Sequence, residues 1–295
     1  MSIRPSFKIH GGKHYLKGWL HDHFPRWHTY NRFVDTHCGA NSEYLEYFNP
    51  KRYKVGNRPL SYVLNDINPY VYATLTCLSR HALINRLYDS LKSVLYNETE
   101  FLCKQKYIVD LDTSAVDLQR NNDKLVEMAA AWIVVSRFSR GGRGKSFAWS
   151  KRLRGGLPGD LNSWSTYLKS FLRYYEYYQF KPVQIEIYNE DALTLIPRYN
   201  HPETFIYCDP PYLPITRSAK KVYMYEQERQ HHILLAQALN NHRGPAAISG
   251  YDSKLYHELY AANKWNIVRK RVVNHSGEGK KKQPRVECLW TNYVD

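Results

Sequence analysis

Thr204-Phe205-Ile206-Tyr207-Cys208-Asp209-Pro210-Pro211-Tyr212 opens as an apolar, β-rich run and stops on an acid, two prolines and an aromatic ring. Its length suits a buried strand, and the prolines end it because neither nitrogen can donate to a sheet ladder. Working outward, short β-rich runs recur at Gln184 to Tyr188 and Ala246 to Ser249. Glu226 to Asn240 and Ser253 to Asn263 have instead a period near 3.6. Strands alternating with helices predict an α/β sheet. The last two runs, Trp265 to Val273 and Val286 to Tyr293, are separated only by polar residues and predict an antiparallel hairpin at the sheet edge.

Upstream the alternation starts in the same way, with Arg32 to Asp35 as a strand, Ser42 to Phe48 as a helix and Ser61 to Asn65 as a second strand. It then halts. From Pro69 to about Phe138 the pattern is helical, Arg137 to Gly156 reads as a basic, glycine-rich loop, and Ser163 to Gln179 as a helix leading back into the sheet. The simplest parse is one α/β domain split by an inserted module, with boundaries at 1–76, 77–180 and 181–295.

A chain of 295 residues with 43% hydrophobic content can bury a full core. Its 42 Lys and Arg against 27 Asp and Glu give +15, a surplus that points to a polyanionic partner. Membrane attachment is not expected, because no amphipathic basic helix or terminal anchor is visible and the longest apolar run, Met128 to Val135, is far too short to span. A cytoplasmic protein, monomeric when free, is the expectation. Cys38, Cys77, Cys103, Cys208 and Cys288 are scattered without a Cys-x-x-Cys pair and read as reduced thiols. His231-His232 and His21-Asp22-His23 have no matching second half, so no metal site is expected.

The tetrapeptide Asp209-Pro210-Pro211-Tyr212 supplies what alkylating an exocyclic amine of a base requires. Such an amine is a poor nucleophile because its lone pair is delocalised into the ring, and acceptors aimed at its two N–H bonds draw it toward tetrahedral geometry. A carboxylate and a proline-flanked carbonyl are two such acceptors, and the tyrosine ring can stack on the base. The same residues also fit an ordinary strand end followed by a proline turn.

Two further stretches read as a nucleotide-like site. Phe33-Val34-Asp35-Thr36-His37-Cys38-Gly39-Ala40-Asn41-Ser42 is a strand opening through small residues onto a helix, where a cofactor meets backbone amides in a doubly wound sheet. Leu64-Asn65-Asp66-Ile67-Asn68 ends the next strand on a carboxylate able to bind ribose hydroxyls. Both also fit a capped helix and an Asp turn. Near the amino terminus, Gly11-Gly12-Lys13 offers close backbone approach and a cation, although by itself it fits an ordinary turn better.

Taken in order, Gly11-Gly12-Lys13, the Phe33 to Ser42 loop, Asn65-Asp66-Ile67-Asn68, a basic insertion and Asp209-Pro210-Pro211-Tyr212 resemble the Dam-like group of N6-adenine-specific DNA methyltransferases. Ser249-Gly250-Tyr251-Asp252-Ser253 and Glu287-Cys288-Leu289-Trp290-Thr291-Asn292 are similar to segments of its phage-encoded and restriction-associated members. The resemblance implies a Rossmann-like fold that takes S-adenosylmethionine as cofactor and double-stranded DNA as substrate. It implies that residues 1–76 and 181–295 are the cofactor-binding and catalytic halves, with target recognition in 77–180. It places Ile9, Gly12 and Lys13 beside the methionine end of the cofactor, with Asp35, Cys38 and Gly39 in the loop beneath it. Asp66 and Ile67 would lie at the ribose, Asp191 near the adenine, and Asp209, Pro210, Pro211 and Tyr212 at the target base. The chain departs from the family's Phe-x-Gly-x-Gly cofactor loop, having His37-Cys38-Gly39-Ala40-Asn41, although asparagine is the best non-glycine residue for a left-handed turn.

Within the insertion, Arg137 to Arg154 contains Arg137, Arg140, Arg143, Lys145, Lys151, Arg152 and Arg154 and no acid, interleaved with Phe138, Phe147 and Trp149. Arg137, Arg140, Arg143, Lys145, Trp149, Lys151, Arg152 and Arg154 are the expected DNA contacts, following phosphates or entering a groove. Lys280-Lys281-Lys282 with Arg285 is a second, less specific basic stretch. The rival readings are cytosine-N4 methylation of DNA and a non-catalytic DNA-binding protein with a degenerate cofactor loop.

Overall fold

The computed structural model describes residues 4–9, 11–47, 61–179, 184–217, 223–273 and 284–294. In chain order the strands are β1 (Arg32–Asp35), β2 (Ser61–Asn65), β3 (Leu153–Arg154), β4 (Leu157–Pro158), β5 (Gln184–Tyr188), β6 (Thr204–Cys208), β7 (Ala246–Tyr251), β8 (Asn266–Val273) and β9 (Pro284–Thr291). The chain divides into two compact units, one of residues 15–38, 54–67 and 182–295 and the other of residues 1–14, 39–53 and 68–181.

The first of these units holds a seven-stranded sheet in the order β5-β2-β1-β6-β7-β9-β8. Strands β5, β2, β1, β6 and β7 are parallel neighbours, while β9 runs antiparallel to both β7 and β8. This is a Rossmann-like, doubly wound sheet extended by the expected carboxy-terminal antiparallel hairpin. Strand order reverses between β1 and β6, so the loops leaving those strands open a crevice at their carboxyl ends.

Registration of β1 on β6 pairs Phe33 with Phe205 and Val34 with Ile206, and the period of two sends the pairs to opposite faces. On one face Phe33 and Phe205 stack at 4.8 Å, with Phe24 edge-on to Phe205 at 5.0 Å. On the other, Val34 and Ile206 join Leu195, Ile196, Leu235, Leu239 and Trp290 in a continuous core. Burial of each such side chain contributes about 1.5–3 kcal/mol, which is why both faces of the sheet need helical cover.

The second unit is mainly helical. Helix Asn122–Phe138 is apolar on nearly every side and buried along most of its length, as a central helix must be. Asn68, Asn97 and Asn121 each accept a backbone N–H at a helix start, from Tyr70, Glu100 and Lys124; losing one such cap costs about 1 kcal/mol.

Three helices differ from their sequence patterns. Ser163 to Gln179 is divided into Gly159–Ser170 and Arg173–Tyr178, because Phe171, Tyr174 and Tyr175 bond three residues back and tighten the chain between them. The stretch from Glu226 begins its helix only at Arg229, since the Glu226 carboxylate is taken by Arg217 and Glu228 is extended. Ser253 to Asn263 is a helix to Leu259 followed by a 3₁₀ turn. Residues 274–283, including the Lys280 to Lys282 run, lie outside the described residues. Among the described residues no helix is long and apolar enough to cross a membrane.

Candidate active site

The carboxyl rim of the sheet is tied together by Asn65, the last residue of β2 and 1% exposed. Its amide donates to the carbonyls of Thr36 (2.9 Å) and Glu190 (3.0 Å), and its oxygen accepts the Glu190 N–H (3.0 Å). Its own carbonyl accepts the Cys38 N–H (2.9 Å). One buried side chain thus joins the loops that follow β1, β2 and β5. Across the switch point the Thr36 N–H and hydroxyl reach the Tyr207 carbonyl of β6.

This bracing gathers the sequence-predicted acids. Burial, then the charges of Asp35 and Asp66, push the Cys38 thiol well above its ordinary value, so the thiol stays neutral and both carboxylates lie within electrostatic reach of it. Asp66 is half-buried and Ile67 projects partly into solvent, their carbonyls held by the Asn189 amide at 2.8 and 2.9 Å. Asp191 spends one oxygen capping helix Ala192–Arg198 through the Leu193 N–H (2.8 Å), and the same oxygen stands 4.0 Å from His231 Nε2.

His37 sits where the Dam-like pattern has an aromatic. Its Nδ1 is 2.8 Å from the Thr36 hydroxyl, and its Nε2 accepts from the Gln227 amide at 3.0 Å. Burial, with His231 and His232 nearby, lowers its pKa to about 3, so the ring is neutral and carries its proton on Nδ1.

Asp209 follows β6 directly and is half-buried. Burial, assisted by the charges of Asp35 and Asp209, raises the neighbouring Cys208 thiol to about 12. Pro210 is buried, and Tyr212, 5% exposed, donates its hydroxyl to Glu287 at 2.9 Å and meets the Tyr251 ring edge-on at 4.6 Å. Burial first, and then the Glu287 charge, hold the Tyr212 phenol protonated, well above its ordinary value. The rim therefore offers a carboxylate, a carbonyl turn and an aromatic ring in succession beside the crevice. Asn65 and Glu287 stand in segments that the sequence reading quotes but receive no role there, and Gln227 is not singled out at all.

In the helical unit, Ile9, Gly12 and Gly39 come together: a Cβ on Gly12 would stand 3.3 Å from the Ile9 side chain, and one on Gly39 3.6 Å from it. Gly39 and Asn41 both have φ of +46° and +46°, so the left-handed turn survives with asparagine in the glycine position. Asn41 is fixed there by donating to the Tyr178 hydroxyl. Lys13 is buried, its ammonium 3.4 Å from the Gly11 carbonyl.

The basic stretch is a braced hairpin where the sequence suggests a plain loop. Ser139 bridges Phe147, the Ala148 N–H reaches the Phe138 carbonyl (2.7 Å), and the Ser139 hydroxyl accepts the Gly144 N–H (2.9 Å). A second, minimal hairpin pairs β3 with β4 through Gly155 and Gly156, both at positive φ. Arg140, Arg143, Lys145, Lys151, Arg152 and Arg154 are exposed, as is Trp149, which stacks on Phe147. Arg137 stands apart from this set. Its guanidinium donates to the Ser6 and Pro5 carbonyls (2.7 and 3.0 Å) and lies 3.5 Å over the Tyr167 ring, so its donors and face serve the fold. Phe138 and Phe147 likewise pack inward around Tyr96.

The model of the D12 class N6 adenine-specific DNA methyltransferase family matches residues 10–274. None of the curated protein sequences matches. Two solved structures of the rRNA methyltransferase aviRa from Streptomyces viridochromogenes are similar at 10% identity over 98% of this chain and 87% of that one, with TM-scores of 0.36 and 0.38.

Proposed function

The chain belongs to the D12 class N6 adenine-specific DNA methyltransferase family, and from that premise we propose that Asp209, Pro210 and Tyr212 methylate an adenine extruded from the duplex. The observation that carries this reading is the location of Asp209-Pro210-Pro211-Tyr212 at the carboxyl end of β6, beside the point where strand order reverses. The Asp209 carboxylate and the Pro210 carbonyl accept the two amine hydrogens, which localises the nitrogen lone pair for attack. Tyr212 stacks on the extruded base, and Pro211 stiffens the turn between them.

The methyl donor is S-adenosylmethionine, which when bound supplies an electrophilic methyl on a sulfonium. The residues present fit it: Asp35 ends β1 and Asp66 directly follows the neighbouring strand β2, where a ribose-binding acid belongs. Asp35, Cys38, Asp66, Ile67 and Asp191 are its proposed contacts in the sheet unit. Ile9, Gly12, Lys13 and Gly39 are assigned to the same cofactor on the resemblance of the Gly-Gly-Lys element and the cofactor loop. Arg140, Arg143, Lys145, Trp149, Lys151, Arg152 and Arg154 are assigned to the duplex. Residues 77–180 are proposed as the target-recognition module.

Methylation of an unmethylated plasmid with tritiated S-adenosylmethionine, followed by digestion to nucleosides, tests the proposal. Label in N6-methyl-2′-deoxyadenosine is expected, whereas label in N4-methyl-2′-deoxycytidine, or none, defeats it. Sequencing the flanks of the labelled base gives the recognition site.

A further inference from the structure

We propose that Glu287 is the positioning residue for Tyr212, fixing the direction of its hydroxyl and through it the plane of the ring offered to the target base. The inference rests on the reading of Tyr212 as the base-stacking ring. Glu287 lies in β9, between β7 and β8, and is 3% exposed; its successors Cys288, Leu289 and Trp290 are buried apolar residues. A carboxylate in such a place is strongly disfavoured unless donors meet it. Here two phenols do so. Tyr212 donates to one carboxylate oxygen at 2.9 Å and Tyr15 to the other at 2.8 Å.

A carboxylate can only accept, so the sense of both bonds is fixed. The register of β9 on β7 sets Glu287 opposite Tyr251, and the Tyr251 ring meets Tyr212 edge-on at 4.6 Å and 78°. The two members of one cross-strand pair therefore hold the same tyrosine, one at its hydroxyl and one at its ring edge. The side chain has two rotatable bonds, and those contacts constrain both. A stacking ring that is free to tilt loses the orientation on which transfer depends, since misplacement of about 1 Å can cost up to about a hundredfold in rate.

The test compares Glu287→Gln, Glu287→Leu, Tyr212→Phe and the double variant Glu287→Leu/Tyr212→Phe. Transfer from tritiated S-adenosylmethionine to unmethylated plasmid duplex gives kcat and both KM values, and thermal melting is recorded beside them. Glu287→Leu is expected to lower kcat about tenfold with both KM values little changed. Glu287→Gln, whose carbonyl oxygen still accepts from Tyr212, should retain most of the rate. Added to Tyr212→Phe, the leucine should cost little more, because the bond it removes is already gone. Parental kcat in Glu287→Leu, no rescue by glutamine, or additive losses in the double variant would each overturn the proposal. If Glu287→Leu does not fold, Tyr212→Phe with parental kcat overturns it. A parent enzyme that transfers no methyl overturns the functional reading and this proposal together, whereas an active parent indifferent to Glu287 overturns the proposal alone.

Discussion

The carboxyl rim of the sheet and the basic hairpins of the helical unit are built by opposite rules. At the rim, polar groups are buried and oriented: Asn65 alone makes three side-chain hydrogen bonds to two neighbouring loops, and His37, Tyr212 and Glu287 each have named partners. Along residues 139–158 the backbone is braced, but Arg140, Arg143, Lys145, Lys151, Arg152 and Arg154 extend into solvent. The difference fits the roles proposed for the two regions. An amine nitrogen has to be met at a fixed angle, whereas a phosphate backbone is a line of charge that mobile cations can follow. Perturbing the rim should therefore alter turnover, and perturbing the hairpins should alter salt-dependent binding.

The strongest test of that division is Asp209→Ala. Removing one of the two acceptors for the amine should lower kcat by about a hundredfold to a thousandfold, the cost typical of a lost transition-state partner. Duplex binding, measured by fluorescence anisotropy, should be nearly unchanged. A variant that turns over normally, or one that loses DNA binding in step with activity, would erase the distinction between the regions.

Arg137 provides the next test because it belongs to the basic stretch by sequence and to the fold by contact. Arg137→Leu removes two charge-assisted bonds to carbonyls and the stack on Tyr167, and should cost about 2–3 kcal/mol of stability. Its denaturation midpoint should fall, while the slope of log binding constant against log salt stays parental. A shallower slope would return Arg137 to the DNA-contacting set.

That arginine also marks where the sequence stops being legible. β2, β5 and β6 lie where their runs of β-branched and aromatic residues place them, because alternation and strand length depend on neighbours in the chain. The crevice was legible too, since a motif at the end of β6 and an acid at the end of β2 need only the strand order to become neighbours of β1. Arg137 differs from Arg140 only through Pro5, Ser6 and Tyr167, and no local pattern announces contacts so distant in sequence. The roles of Asn65 and Glu287 were hidden for the same reason. Each is one polar residue in or beside a strand, and its role exists only after β1, β5 or β6 has come alongside.

Replacing Arg140, Arg143 and Lys151 together with alanine should weaken duplex binding roughly tenfold near physiological salt and flatten the salt slope by about 2–3, one counterion for each lost contact. At saturating DNA, kcat should match the parent. If the slope does not change, the exposed cations are not on the phosphates, and the contrast with Arg137 loses its meaning.

The smallest effect concerns the rim's own departure from the Dam-like pattern. His37 has a pKa of about 3 when folded, lowered chiefly by burial, against 6.5 for an ordinary imidazole. Between those values the unfolded chain binds a proton that the native ring refuses, so stability is complete above about pH 6.5 and declines as the pH falls toward 3, by at most about 1.4 kcal/mol per unit for this group. His37→Phe removes that liability and also the acceptor for the Gln227 amide, a loss of about 1 kcal/mol at neutral pH. Its melting temperature should therefore lie below the parent's at pH 7.5 and approach or cross it near pH 5. Because His232, lowered to about 4, remains, some acid sensitivity should persist in the variant. Parallel melting curves across the range would mean that His37 already protonates in the folded rim, and that the buried tautomer chain from Gln227 to Thr36 does not hold in solution.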